Sequence, residues 1–312
     1  MRFLHIVLPS NVLMAIGMGL SGTLRAVGDA KRAMYVTLAG GIATAALDPL
    51  FIFGLDMGVD GAAVATVLSR MIFAAVGFHG AVRVHGLIAR PRLADIAQDA
   101  RPLLGIAGPA ILTNLATPVA NAAVAAIMAR FGDKAIAALA IIDRLVPVAF
   151  GALFAMSGAV GPILGQNWGA GRFDRMRRAL TDSVIMAGIY VLVMWTALIL
   201  GRHALADLFQ ATGLAAEIIV LFCWISGPTW LALGALFVAN ASFNNLGFPF
   251  YSTAFNWGRA TLGAIPLAWY GAVHDGPRGV LVGVAVGAAV FGAAALVMAY
   301  RVIGKLEASA AA

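Results

Sequence analysis

The run PSNVLMAIGMGLSGTLRAVGD, residues 9–29, is echoed by PTWLALGALFVANASFNNLGF, residues 228–248. Few residues are identical, but the punctuation is shared. Pro9 and Pro228 each stand inside an apolar run, and Gly28 and Gly247 close those runs at the same offset. Further on, Asp48-Pro49-Leu50 falls opposite Ile265-Pro266-Leu267. Gly58 and Gly61 fall opposite Gly276 and Gly279, and Arg83 opposite Arg301. The echo thus relates residues 9–83 to 228–301. In a very apolar chain, such a repeat points to a membrane carrier built from two like halves.

Composition supports the membrane. The chain has 312 residues, of which 62% are hydrophobic and 11% charged, with a mean hydropathy of +0.92. A soluble domain carries roughly 25% charged residues, so too few remain here to coat a water-facing surface. The pattern predicts an all-α, polytopic helical membrane protein with about nine transmembrane helices, at about 5–24, 33–54, 58–82, 103–130, 135–165, 181–205, 215–243, 249–272 and 277–303. The net charge of +7 does not indicate nucleic acid. The cations sit in short clusters between apolar runs, not along a stripe with aromatic platforms.

Those clusters orient the chain. Arg25, Lys31 and Arg32, the set from Arg83 to Arg101, the set from Arg172 to Arg178, and Arg301 with Lys305 all fall on one side. Only Arg2, Arg130, Lys134, Arg202 and Arg278 fall on the other. The first side is expected to be cytoplasmic, with the C-terminus inside. Spans one to three recur six spans later, so the two copies run in the same direction. Spans four to six then require a counterpart before Met1, and an exported Met1 without a signal peptide requires the same. The expectation is a 6+6 parallel-repeat parent. Residues 1–84 would be the C-terminal half of the N-lobe, 85–102 a cytoplasmic inter-lobe linker, 103–304 the C-lobe and 305–312 a tail. Within the linker, Leu93, Ile96 and Ala97 would form the apolar side of a short amphipathic helix.

Polar residues inside spans are few. Asp48 precedes Pro49, which removes a backbone donor and disfavours helix at the residue before it. Asp48 with Thr44, one turn earlier, is either an ion-binding or protonatable carboxylate site or a structural feature of a kinked helix. Asn114, Thr117 and Asn121 share one face of the fourth span. They either line a cavity or join helices by hydrogen bonds. Asp143 and Arg144 are adjacent on a helix and so do not face each other; Asp143 is a cavity or edge residue. Trp230 and Asn240, with Trp224 and Pro228, mark the seventh span. Its aromatics could stack on a flat cation or anchor an interface. Gly279, Gly283 and Gly287 make a close-packing face. The histidines show no metal-ligand spacing and no phosphate-binding loop is present, so no cofactor is expected.

The segments TLRAVGDAK (23–31), LDPLFIFG (47–54), GVDGAAVAT (58–66) and GPILGQNWGAGR (161–172) resemble, in order and spacing, the multidrug and toxic compound extrusion family. The resemblance implies a non-enzymatic twelve-helix exporter whose two six-helix lobes flank a V-shaped cavity. Alternating access would be driven by Na+ or H+. This chain would match the fourth through twelfth helices. The implied function is a secondary antiporter that exports small organic compounds, cationic or amphipathic, from a bacterial plasma (inner) membrane. The alternatives are a flippase for lipid-linked precursors or metabolites, and a truncated, non-transporting fragment. Thr44 stands where some members carry Asn. No acid lies between Asp99 and Asp133, where one branch carries Glu. Partners would be the organic cargo and membrane lipid, with no nucleic acid.

Overall fold

The apolar runs form helices, and glycines such as Gly28, Gly132, Gly171, Gly213 and Gly247 stand where they break. A computed structural model describes residues 2–87 and 93–311; the middle of the expected linker, including Arg90 and Arg92, lies outside the described residues. The helices are α1 (Arg2–Val7), α2 (Asn11–Ala26), α3 (Ala30–Pro49), α4 (Gly58–Phe78), α5 (Leu93–Ala129), α6 (Asp133–Gly169), α7 (Phe173–Leu208), α8 (Leu214–Asn245), α9 (Pro249–Gly258) and α10 (Ile265–Ala311). Three wide π-helical segments, Leu50–Gly54, His79–Val84 and Arg259–Ala264, interrupt them. No strand occurs among the described residues.

Seven stretches among the described residues are long and apolar enough to cross a bilayer. The last of them, Pro249–Ala310, is 62 residues long. At 1.5 Å per residue it far exceeds a hydrocarbon core of about 30 Å. It breaks at Asp275 and Gly276, which leave helical geometry, so it makes two crossings. The first expected span is likewise not one helix but two, α1 and α2, parted at Leu8-Pro9-Ser10. Counting α1–α2 as one crossing, the described residues agree with the expected number of about nine. The apolar outer surface suits lipid: Phe53 and Val148 are each 80% exposed.

The repeat reappears in the turns. Gly28 and Gly247 have φ of +87° and +84°, and Gly58 and Gly276 have +54° and +56°. These are left-handed conformations that a side chain disfavours, and they occur at the matched places.

Contacts divide the chain into two units, Met1–Ala97 and Gln98–Ala312. The helix that begins at Leu93 runs unbroken to Ala129. In the first unit, α4 packs on α1, α2 and α3, with Leu24, Ala33 and Val36 buried against Phe73 and Val76. Arg70 is satisfied inside this unit by the Val7 carbonyl at 3.0 Å and Ser10 Oγ at 2.6 Å. In the second unit, α8 is central and touches α6, α7 and α10. Pro228 has no N–H, so the Trp224 carbonyl one turn back loses its helical donor. The Trp195 indole N–H replaces it, at 3.0 Å from Trp224 O and 3.1 Å from Cys223 O. Gly227 lies under that indole, where a Cβ would overlap the ring.

Asp29, between α2 and α3, caps α3 by accepting from the Arg32 amide at 3.0 Å. It also pairs with the Arg32 guanidinium and lies 2.8 Å from His85 Nε2. The His85 contact, then the Arg32 bonds, hold the Asp29 carboxyl below its ordinary 3.8. A carboxylate that is a stronger acid when folded stabilises fully above the unfolded value, and that contribution is lost only as pH falls below it. Between pH 5 and 8 Asp29 should therefore stay ionised and capping. Asp29→Ala, which removes the acceptor, is expected to speed hydrogen exchange of the Arg32 amide by about fivefold; unchanged exchange would mean that the cap does not hold α3.

Candidate functional site

In the second unit, α5, α6, α8, α9 and α10 surround a cavity of about 900 Å³. Pockets of roughly 300–1,000 Å³ suit drug-sized molecules. The α5 wall carries Asn114, Thr117 and Asn121, which the helical repeat puts on one face. Asp143, Phe154 and Ser157 stand on the α6 wall, and Trp230, Phe237 and Asn240 on the α8 wall. Asn256 of α9 and Arg259, first residue of the adjoining π segment, complete the polar part. Asn114, Thr117, Asn121, Asp143, Trp230 and Asn240 therefore all face one space, although they come from three helices.

Their local bonding differs. Asn114 Nδ2 donates to Ala110 O of its own helix at 2.9 Å. Thr117 Oγ1 accepts from Arg259 Nη2 at 3.1 Å. Asn240 Oδ1 is buried with no hydrogen-bond partner among the described residues. Trp230 is held from behind by Phe150, stacked at 4.6 Å between centroids, and meets Phe154 edge-on at 6.1 Å. Trp224 does not share this space; it lies under the Arg202 guanidinium, 5.6 Å from the ring centroid.

A seam of hydrogen bonds closes α9 onto α5. Thr253 Oγ1 donates to Pro109 O at 2.9 Å, and Trp257 Nε1 donates to Leu112 O at 2.9 Å. The Arg259–Thr117 bond is the next rung. Thr117 thus both joins helices and lines the cavity, so the two readings of that polar face coexist in one residue.

Asp48 and Thr44 belong to the first unit. Asp48 is half-buried, and its Oδ1 is buried without a hydrogen-bond partner among the described residues. Thr44 is exposed, and its hydroxyl donates to Gly40 O at 3.0 Å. Directly after Pro49 the backbone widens into the Leu50–Gly54 π segment, whose ladder includes Leu55 N–H to Leu50 O at 2.9 Å. Gly61 of α4 presses on this segment, and a Cβ there would lie 2.6 Å from the Phe51 carbonyl oxygen. Wide turns of this kind concentrate at functional sites.

Arg259 is not among the site residues expected from the sequence. The signal was its place, seven residues before Pro266 in an otherwise uncharged run.

Comparison with known proteins gives a consistent result. The family model described as MatE matches residues 109–270. The chain is 29% identical over 319 residues to the FAD transporter of Shewanella oneidensis, spanning 100% of this chain and 70% of that protein. It is 35% identical over 231 residues to an uncharacterized 21 kDa protein in the iaaL 5′ region of Pseudomonas savastanoi, spanning 74% of this chain and 76% of that protein. Among solved structures, a mutant of the MATE transporter VcmN from Vibrio cholerae superposes with a TM-score of 0.88 at 25% identity. That match covers 96% of this chain and 68% of that one.

Proposed function

Because this chain belongs to the MatE family, the multidrug and toxic compound extrusion family of integral membrane transporters, we propose that it is a secondary antiporter that exports amphipathic organic compounds in exchange for Na+ or H+. The cavity of the second unit is the cargo site. The observation that carries this reading is the convergence of three amides and hydroxyls on α5, an acid on α6 and an aromatic cluster on α8 around about 900 Å³. Such a space has an oily wall and a polar wall, which suits a molecule with a ring system and a polar end. The likeness to an FAD transporter along the whole chain supports a cargo of that build. Asp48 is the coupling carboxylate: its buried, unpartnered oxygen is suited to a proton or a sodium ion. The protein sits in a bacterial plasma membrane with its C-terminus in the cytoplasm, in line with the distribution of Lys and Arg.

The test is cargo movement in everted membrane vesicles under an imposed Na+ or pH gradient, with ethidium and riboflavin as probes. Asn121→Trp, which fills the cavity, is expected to lower transport of every accepted probe about tenfold or more at an unchanged protein level, because uptake needs the space it occupies. Full transport through the filled cavity would place the cargo path elsewhere.

A further inference from the structure

Arg259 is a cation inside an apolar span, a position that costs about 2.5–3.5 kcal/mol on insertion scales and marks function unless an acid answers it. No acid answers it among the described residues: Arg259 takes part in none of their ion pairs. Among the described residues its side chain makes one hydrogen bond, Nη2 to Thr117 Oγ1 at 3.1 Å, and its Nε is buried without a partner. A guanidinium offers five N–H donors in a planar fork. Two other arginines are answered, Arg70 by Val7 O and Ser10 Oγ, and Arg278 by Glu217 at 2.6 Å.

The cavity that Arg259 lines carries several neutral polar groups. Thr117, Asn121, Asn240 and Asn256 line the same space. These groups can complete the coordination of an oxyanion, but they cannot neutralise an arginine. The same space is lined by the aromatic group of Phe154, Trp230 and Phe237, with Phe154 and Phe237 centroids 5.0 Å apart. Asp143, the acid on the cavity wall, makes no ion pair among the described residues and is available to accept an N–H from the rest of the cargo. A purely cationic cargo would have to share the cavity with an unneutralised guanidinium.

We propose that Arg259 is an oxyanion subsite of this cavity, and that the cargo it selects is an aromatic compound bearing a phosphate or carboxylate. This rests on the reading that the cavity carries cargo. The fork of Arg259 would take the oxyanion through two parallel N–H donors, as guanidinium groups do, while the ring system lies on the aromatic wall.

The same oxyanion could come from a soluble cargo or from a phospholipid headgroup, and the proposal is the soluble one. Riboflavin and flavin mononucleotide share a ring system and differ by one phosphate. Binding of each to the purified full chain in phosphatidylcholine nanodiscs is read by flavin fluorescence. The wild type is expected to bind the phosphorylated flavin about tenfold more tightly or better, the size of a charge-assisted hydrogen-bonded contact. Arg259→Gln should erase that preference and leave riboflavin within about twofold. Arg259→Lys, which keeps the charge and loses the fork, should retain part of it. A carboxymethyl flavin distinguishes carboxylate from phosphate, and preference for either over riboflavin supports the subsite.

Equal affinity for charged and uncharged flavins, or no binding of any, overturns it, as does Arg259→Gln weakening all of them alike. A phospholipid that co-purifies with the wild type and is lost from Arg259→Gln in native mass spectra, without any flavin preference, also overturns it and assigns the guanidinium to a headgroup. The cavity reading fails separately. If vesicles transport ethidium and Asn121→Trp stops them, the cavity carries cargo even when the oxyanion subsite is wrong. If Asn121→Trp stops nothing, both fall.

Discussion

Gly283→Leu is expected to eliminate folded protein. Gly279, Gly283 and Gly287 of α10 lie directly on the backbone of the preceding crossing. A Cβ at Gly279 would overlap the Gly271 carbonyl, one at Gly283 the Leu267 carbonyl, and one at Gly287 the Gly263 carbonyl. Backbone cannot rotate aside as a side chain can, so the two crossings would have to separate. In lipid no hydrophobic force draws them back, because packing at close approach is itself the driving force. Ordinary overpacking costs about 1–3 kcal/mol. Four carbons set against a carbonyl exceed that, in a protein whose total margin is of the order of 5–15 kcal/mol. Fluorescence-detected size-exclusion chromatography should show the monodisperse peak lost in Gly283→Leu and reduced in Gly283→Ala. It should be retained in Gly201→Ala, where a Cβ meets nothing within 4 Å. A normal peak for Gly283→Leu would show that this helix pair tolerates separation.

Asp48→Asn should abolish gradient-driven accumulation of cargo while leaving insertion intact. One charge moving through 100 mV is worth about 2.3 kcal/mol, which corresponds to roughly a fifty-fold concentration ratio. An amide cannot take up and release a proton, and it binds a cation far less well than a carboxylate. The accumulated ratio should therefore fall to the level of empty vesicles. Thr44→Ala should have a smaller effect, because that hydroxyl is bonded to Gly40 O of its own helix. Accumulation that persists in Asp48→Asn at normal protein levels would remove Asp48 from the coupling step.

Much of the architecture is legible in the sequence. Apolar runs of span length can only be helices in a bilayer, since each backbone group must be bonded within its own segment. The turn glycines were readable because only a residue without a Cβ takes their conformation cheaply. The face of Asn114, Thr117 and Asn121 was readable for a different reason: spacings of three and four residues bring side chains to one side of any α-helix. The Gly279–Gly283–Gly287 stripe followed from the same periodicity.

Other features depend on which helix lies beside which. No local pattern foretells that Trp195 supplies the donor that Pro228 removed from α8, because the two residues are brought together only by the packing of α7 on α8. The π segments beside Pro49 and before Pro266 insert a residue into the helical register, which shifts every face beyond them. Arg259 was visible as one cation among 21. That it bonds Thr117 and pairs with no acid among the described residues is a relation between α5 and the π segment. Periodicity specifies what one helix presents to its surroundings, whereas the absence of a partner depends on every chain segment that could have supplied one.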